Sequence, residues 1–318
     1  MKKHSPSFLD MKYDFNPENP EKLRELIEEK VVYLGKYEDE TTPSELEIPE
    51  GVEEIAENAF RGFKSLKRVK LPSSLKKISA CAFSGCKNLS SVELSLGVEE
   101  ILDEAFAICP SLLEIKIPDS VRRIGGSAFE GCAALSRVRI SERCEMIGSS
   151  AFAFCFNLKE IEIPDSVVLV EFGAFSSCFS LEGVKLSRSM QLIDESLFEG
   201  CRSLRAVDMP PRLYKIGRRA FYGCSSLEGV ILPVGLAEIG FDAFAACTSL
   251  SRIGIPKALK LIEDDDAFAS CDSLSQITYG GSKEEWEYLN HGKVLSVKRT
   301  DGVVFAPAVS CLGLKNEI

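Results

Sequence analysis

Phenylalanine recurs at Phe60, Phe83, Phe106, Phe129, Phe152, Phe175, Phe198, Phe221 and Phe244, every 23 residues, and again at Phe268 after one extra residue. A fixed period of this length describes one supersecondary unit copied and stacked, each copy burying its apolar edge only against its neighbours. A single compact core is thereby excluded for most of the chain.

Aligning the chain on the phenylalanines exposes further fixed columns. Three places on stand Cys86, Cys109, Cys132, Cys155, Cys178, Cys201, Cys224, Cys247 and Cys271, with Phe63 in the first copy. Six places on the residue is always leucine, Leu66 to Leu274, and nine places on it is always β-branched, Val69 to Ile277. The segment LxxVxIP alternates with period 2 and closes on a residue that cannot donate a ladder hydrogen bond, so it reads as a short strand, one per repeat, in a parallel sheet. A second apolar pair, such as Val52 with Ile55 or Val121 with Ile124, brings the chain back along an opposite, irregular or short-strand wall. Alanine precedes the phenylalanine in every copy but one, where Leu197 stands, which implies tight space between turns. Gly62, Gly85, Gly131, Gly200 and Gly223, two places after the phenylalanine, suggest a left-handed turn. Ile108 and Phe154 occupy the same place, so the expectation is that a positive φ is not obligatory there.

These columns resemble the BspA-like leucine-rich repeats, consensus LxxIxIPxxVxxIGxxAFxxCxx, over ten copies from Leu46 to Gly281. The pattern lacks the buried asparagine column of the commoner leucine-rich repeat, and Tyr279-Gly-Gly-Ser-Lys-Glu-Glu-Trp286 is similar to the closing segment of clostridial members. The resemblance implies an α/β-type repeat solenoid used for protein contacts or adhesion, usually on the cell surface, and implies no catalytic residues.

The repeats divide the chain into an N-terminal cap, 1–45, a solenoid, 46–281, and a C-terminal cap, 282–318. In the first, Pro20 to Glu29 reads as a short helix with Leu23, Leu26 and Ile27 on one face; in the last, Lys283 to Leu289 reads as a helix laying Trp286 over the final turn, followed by a strand at Val303 to Phe305.

A net charge of −10 argues against nucleic acid as a partner, and nothing has the length and hydropathy of a membrane span, so no membrane insertion is expected. Lys2 and Lys3 are followed by no apolar stretch of a secretory leader, so the chain as it stands reads as cytoplasmic; the resemblance implies the cell surface or secretion if a leader was removed.

Twelve cysteines raise disulfides and metals, yet the nine in the column are one repeat apart and none forms a CxxC pair. In-register side chains hold their Cβ atoms farther apart than a disulfide prefers, and an odd number cannot all pair, so buried reduced thiols are expected. Only His4 and His291 exist, both outside the repeats, and no phosphate loop, GxGxxG, GxSxG or paired-histidine motif occurs. No enzyme, cofactor or metal is expected; the run Glu263, Asp264, Asp265, Asp266 at the inserted residue lacks the spacing of a calcium loop and reads as a solvated bulge. Asn88-Leu-Ser90 matches a glycosylation sequon within an ordinary turn.

Function must then lie on the surface. On the second wall Glu53-Glu54, Lys76-Lys77, Glu99-Glu100 and Arg122-Arg123 alternate in sign from turn to turn, as does most of the strand-wall column from Lys70 to Asp208, with Lys116 beside Arg139 the exception. Stacked opposite charges contribute roughly 0.2–1 kcal/mol each and disfavour slipped registers. After Glu145 the alternation stops. The second wall then carries Met146, Val168, Leu169, Leu192 and Tyr214, while the strand wall turns small and neutral at Gly183, Ala206, Gly229, Ile231 and Gly254. If the first group faces solvent it forms a partner-binding patch; if alternate members point inward it adds core. The expected function is a non-enzymatic protein-interaction scaffold, with an adhesin for host matrix or glycan as the alternative.

Overall fold

The structure is a computed structural model and describes residues 31–32, 44–263, 267–289 and 303–305. The helix expected at Pro20 to Glu29 and residues Asp264 to Asp266 lie outside them.

The described chain winds as a parallel-strand β-solenoid of about ten turns. Register partners along both walls are one repeat apart, as in Val69 with Val92 and Ile78 with Ile101. Each turn from Glu45–Glu47 onward lays a strand of two to four residues on one wall, and the opposite wall, expected to be irregular or short-stranded, carries a two-residue strand in every turn. The α/β label is corrected. Among the described residues the only helix is α1, Lys283–Leu289, because each 23-residue turn spends its length on two walls and two tight corners.

On the strand wall the burial alternates, as in Glu114–Lys116 where only Ile115 points inward, which is the period-2 pattern of a half-buried strand. The second wall forms one sheet of seven strands from Val31–Val32 to Leu169–Val170 and another of four from Leu192–Ile193 to Leu261–Ile262. The break between them coincides with Met190, a longer inward anchor than Val167 below it or Leu213 above it.

Between the walls run the internal files. The phenylalanine rings from Phe60 to Phe268 are at most 2 % exposed and stack with centroids 4.9–5.8 Å apart, within the range for offset aromatic pairs. Each buried ring contributes about 2–3 kcal/mol of hydrophobic stabilisation.

The Ala-Phe corner is itself a ladder. The N–H groups of Asn58, Phe60 and Gly62 donate to the carbonyls of Ala80, Ala82 and Ser84 in the next turn, while those of Ala59, Arg61 and Phe63 close local turns on residues three places back. Both ends of this segment are left-handed in every described copy. One end carries Gly62 (φ 76), Ile108 (φ 55), Phe154 (φ 59) and Ala246 (φ 60); the other carries Asn58 (φ 57), Cys81 (φ 55) and Glu104 (φ 56). The presence of Ile108 and Phe154 therefore does not relax the requirement, as the sequence had suggested. The corner demands positive φ whatever the side chain, since the amides at these two places must reach the neighbouring turn. Non-glycine residues accept a strain of about 1–2 kcal/mol.

Candidate protein-binding faces

The ten candidate residues fall on two walls and do not form one site. On the second wall the inward positions are Val167, Val170, Met190, Ile193, Leu213 and Ile216, all at most 1 % exposed. The candidates point the other way: Val168 is 62 % exposed, Leu169 37 % and Tyr214 46 %, with Met146 and Leu192 half-buried between them. Met146 pairs in register with Leu169, so these two form one file running along the axis, and Leu192 continues it across the break in the sheet. The added-core alternative is thus excluded for the exposed three. Phe172, 48 % exposed, extends the patch and was missed by the sequence reading. Its column also holds Asp103, Gly126, Ser149, Glu195 and Arg218, a mostly polar company that was the available signal, and a second exposed aromatic at Phe241.

On the strand wall only Gly229 has a local steric reason to be small. A Cβ at Gly229 would meet Cγ and Nε of Arg252 at 2.9 Å, so the glycine makes room for an arginine lying across it. Gly254 faces Ile231, whose Cγ2 is 3.8 Å from where a Cβ would stand. Gly183 has open space above it, and with Lys159, Glu160, Glu162 and Lys185 it lines a shallow open depression; Ala206 is exposed beside it.

A second exposed apolar group lies at the other corner. Phe156 stacks on Phe179 at 4.9 Å, Phe154 meets Phe156 edge-on at 6.3 Å, and the Arg202 guanidinium covers Phe179 at 4.7 Å. These side chains satisfy one another along consecutive turns.

Charges on both walls pair from turn to turn, partly as the alternation predicts. Lys77 pairs with Glu54 at 3.1 Å, Arg122 with Glu145 at 2.6 Å and Lys70 with Glu47 at 2.7 Å, and Lys185 pairs with Glu162. Where Lys116 and Arg139 break the alternation, Arg139 turns instead to Asp119 at 3.1 Å. The hydrogen bond to Glu238 raises the Lys215 ammonium above its ordinary pKa, helped by Glu263 at 3.6 Å. Hydrogen bonding by the Glu142 amide, then by Arg139, holds the Asp119 carboxyl below its ordinary value.

All eleven described cysteines are free thiols. Burial pushes Cys132 and Cys178 up to about 12 and Cys144 to about 11, the opposite of what a nucleophile or metal ligand needs. Among the described residues no group of three His, Cys, Asp or Glu could hold a metal ion; Glu263 is engaged by Lys215 and by the Phe241 amide. The Asn88 side chain donates to the Lys64 carbonyl at 2.6 Å, an ordinary turn bond. Among the described residues no helix is long and apolar enough to cross a membrane. Helix α1 brings Trp286, 9 % exposed, onto Tyr279 of the last solenoid strand with ring centroids 5.1 Å apart.

Stacked turns and in-register internal files define a solenoid of leucine-rich repeats. The model of the BspA type leucine rich repeat region matches residues 37–159, 99–228 and 172–288, and the chain belongs to that family. Among solved structures, a leucine-rich repeat protein from Bacteroides ovatus is 26 % identical, with 87 % of this chain and 86 % of that one covered and a TM-score of 0.51. Another from Eubacterium ventriosum is also 26 % identical, covering 70 % of this chain and 63 % of that one at a TM-score of 0.55. No curated protein matches the chain.

Proposed function

We propose that the chain is a non-enzymatic protein-interaction scaffold whose binding face is the second wall around Val168, Leu169 and Tyr214. The observation that carries this reading is the outward placement of these side chains on a rigid ladder whose inward positions are already filled. Contiguous solvent-facing apolar groups on a wall that carries charged residues in its earlier turns mark a partner site. The strand-wall group from Gly183 to Gly254 is the secondary candidate, as a flat floor rather than an anchor. The partner is another protein, and the family's frequent cell-surface placement supports an adhesin form of the same activity; protease treatment of intact cells releases fragments in that case and spares an internal scaffold.

Capture with the intact array, compared with a Leu169→Asp/Tyr214→Asp variant, tests the reading. The expected result is a partner retained by the parent and lost by the variant at an unchanged melting temperature. Equal capture by both would overturn the choice of face.

A further inference from the structure

The corner between the Ala-Phe segment and the strand wall carries an order of its own. Four places after the phenylalanines, consecutive turns present Lys87, Pro110, Ala133, Phe156, Phe179 and Arg202, four apolar turns between two cations. Most of their carbonyls accept a bond from the next turn, as Phe156 does from the Ser180 amide at 3.2 Å and Arg202 from the Ser226 amide at 3.1 Å, so the column is a fixed ladder. Its side chains are exposed or half-buried, and beside it Ile108, 57 % exposed, and Phe154, 42 %, widen the apolar strip.

Charge says what covers this strip. Unlike Lys70, Lys77 and Arg122 on the two walls, Lys87 and Arg202 form no ion pair among the described residues. The Arg202 guanidinium lies over Phe179 at 4.7 Å, which occupies its face and leaves its N–H edge for a planar carboxylate. The acids of the corner do not cancel these cations. Glu199 is held by Arg219 at 2.8 Å, Glu182 stands between Lys159 and Arg205 in its own column, and Glu130 is half-buried. The next acid in the column itself, Asp272, is three turns beyond Arg202.

We propose that this corner binds an extended acidic segment of another protein, its end carboxylates on Lys87 and Arg202 and its apolar side chains on Phe154, Phe156 and Phe179. The strip is separate from the second wall, and the proposal does not depend on that face. Lys87 and Arg202 are 115 residues apart, five repeats of 23, or about 24 Å at about 4.8 Å per turn. An extended segment advances about 3.3 Å per residue, so its first and seventh residues stand about 20 Å apart on one side and reach both cations through their side chains. The third and fifth then face the phenylalanines. A sulfated glycan would engage the cations and leave the aromatic rings wet, which favours a peptide.

Fluorescence anisotropy tests this with a labelled heptapeptide, glutamate at both ends, leucine at its third and fifth places and serine elsewhere, titrated with the full chain. The expected result is saturable binding that weakens as salt rises. Lys87→Glu and Arg202→Glu should each weaken it about fivefold, and Phe156→Ser about tenfold. A peptide with lysine at both ends should reverse the preference, ignoring the parent and binding the Lys87→Glu/Arg202→Glu chain. The exposed charge reversals keep the parent melting temperature and carry the test even where Phe156→Ser does not fold. Leu169→Asp leaves binding unchanged, which separates this strip from the second-wall face. No binding by the parent at low salt, or binding indifferent to both charge reversals, overturns the proposal. Equal binding of a heparin fragment, or of the peptide with serine in place of leucine, would show a bare anion site and overturns it too.

Discussion

The thiol of Cys132 donates to the carbonyl oxygen of Phe106, 26 residues earlier and one turn away, at 3.2 Å. The same bond recurs from Cys86 to Phe60 at 3.1 Å, through every turn, to Cys271 and Phe244 at 3.1 Å. In most turns the phenylalanine carbonyl also accepts the N–H of the cysteine in its own turn, as Phe83 does from Cys86 at 3.3 Å. The column therefore calls for a small, largely apolar side chain with one donor, and cysteine meets all three conditions. Replacing Cys155 by alanine deletes the donor and leaves a small void, at an expected cost of about 1–2 kcal/mol in urea unfolding. Serine, which keeps a donor, should cost no more than alanine.

The burial of these thiols makes stability fall in alkali. In the folded chain Cys132 and Cys178 are raised to about 12 from an ordinary value near 9. The unfolded chain thus releases protons first as pH rises. Their contribution is fully present below about pH 9 and is lost towards pH 12, at about 1.4 kcal/mol per pH unit for each thiol early in that window. Urea midpoints measured from pH 8 to 10.5 should decline; a flat profile would show the thiols to be accessible.

The corner geometry predicts an unusual gain from glycine. Ile108 holds a left-handed φ of 55° while 57 % exposed, so it carries strain with little packing to lose. Ile108→Gly should raise stability by about 0.5–1 kcal/mol in thermal unfolding, after allowing for the added freedom of the unfolded chain. Gly131→Ala, at the matching place with φ 70°, should lower it.

This corner also marks how far the sequence could be read. The Phe, Cys and Leu columns gave the period, the internal files and the parallel stacking, because a buried position one repeat from its neighbours tolerates few side chains. Backbone conformation left a weaker trace. Ile108, Phe154 and Glu104 are ordinary residues in left-handed places, since the hydrogen bonds along the axis, and not the side chain, impose the angle. The two-residue strands of the second wall were equally faint, being too short for alternation to register. Outward and inward members of the Val167-Val168-Leu169-Val170 run are indistinguishable by residue type; the repeat column marks Val167 and Val170 as anchors, and their burial bears that out.

At the C-terminal end, Trp286 on α1 covers Tyr279. Trp286→Ala should expose the last turn and cost about 3 kcal/mol or more. Hydrogen exchange should quicken at Gln276–Tyr279 and leave the middle turns protected, since each repeat is held mainly by its neighbours.

The most direct test of the stacked internal files is a count of reactive thiols without reductant. The nine buried thiols, Cys144 and the column from Cys86 to Cys247, should stay silent in the native protein, and all twelve cysteines of the chain should react in denaturant. Rapid native reaction of the column, or fewer than twelve thiols after unfolding, would contradict a continuous core of reduced, stacked turns.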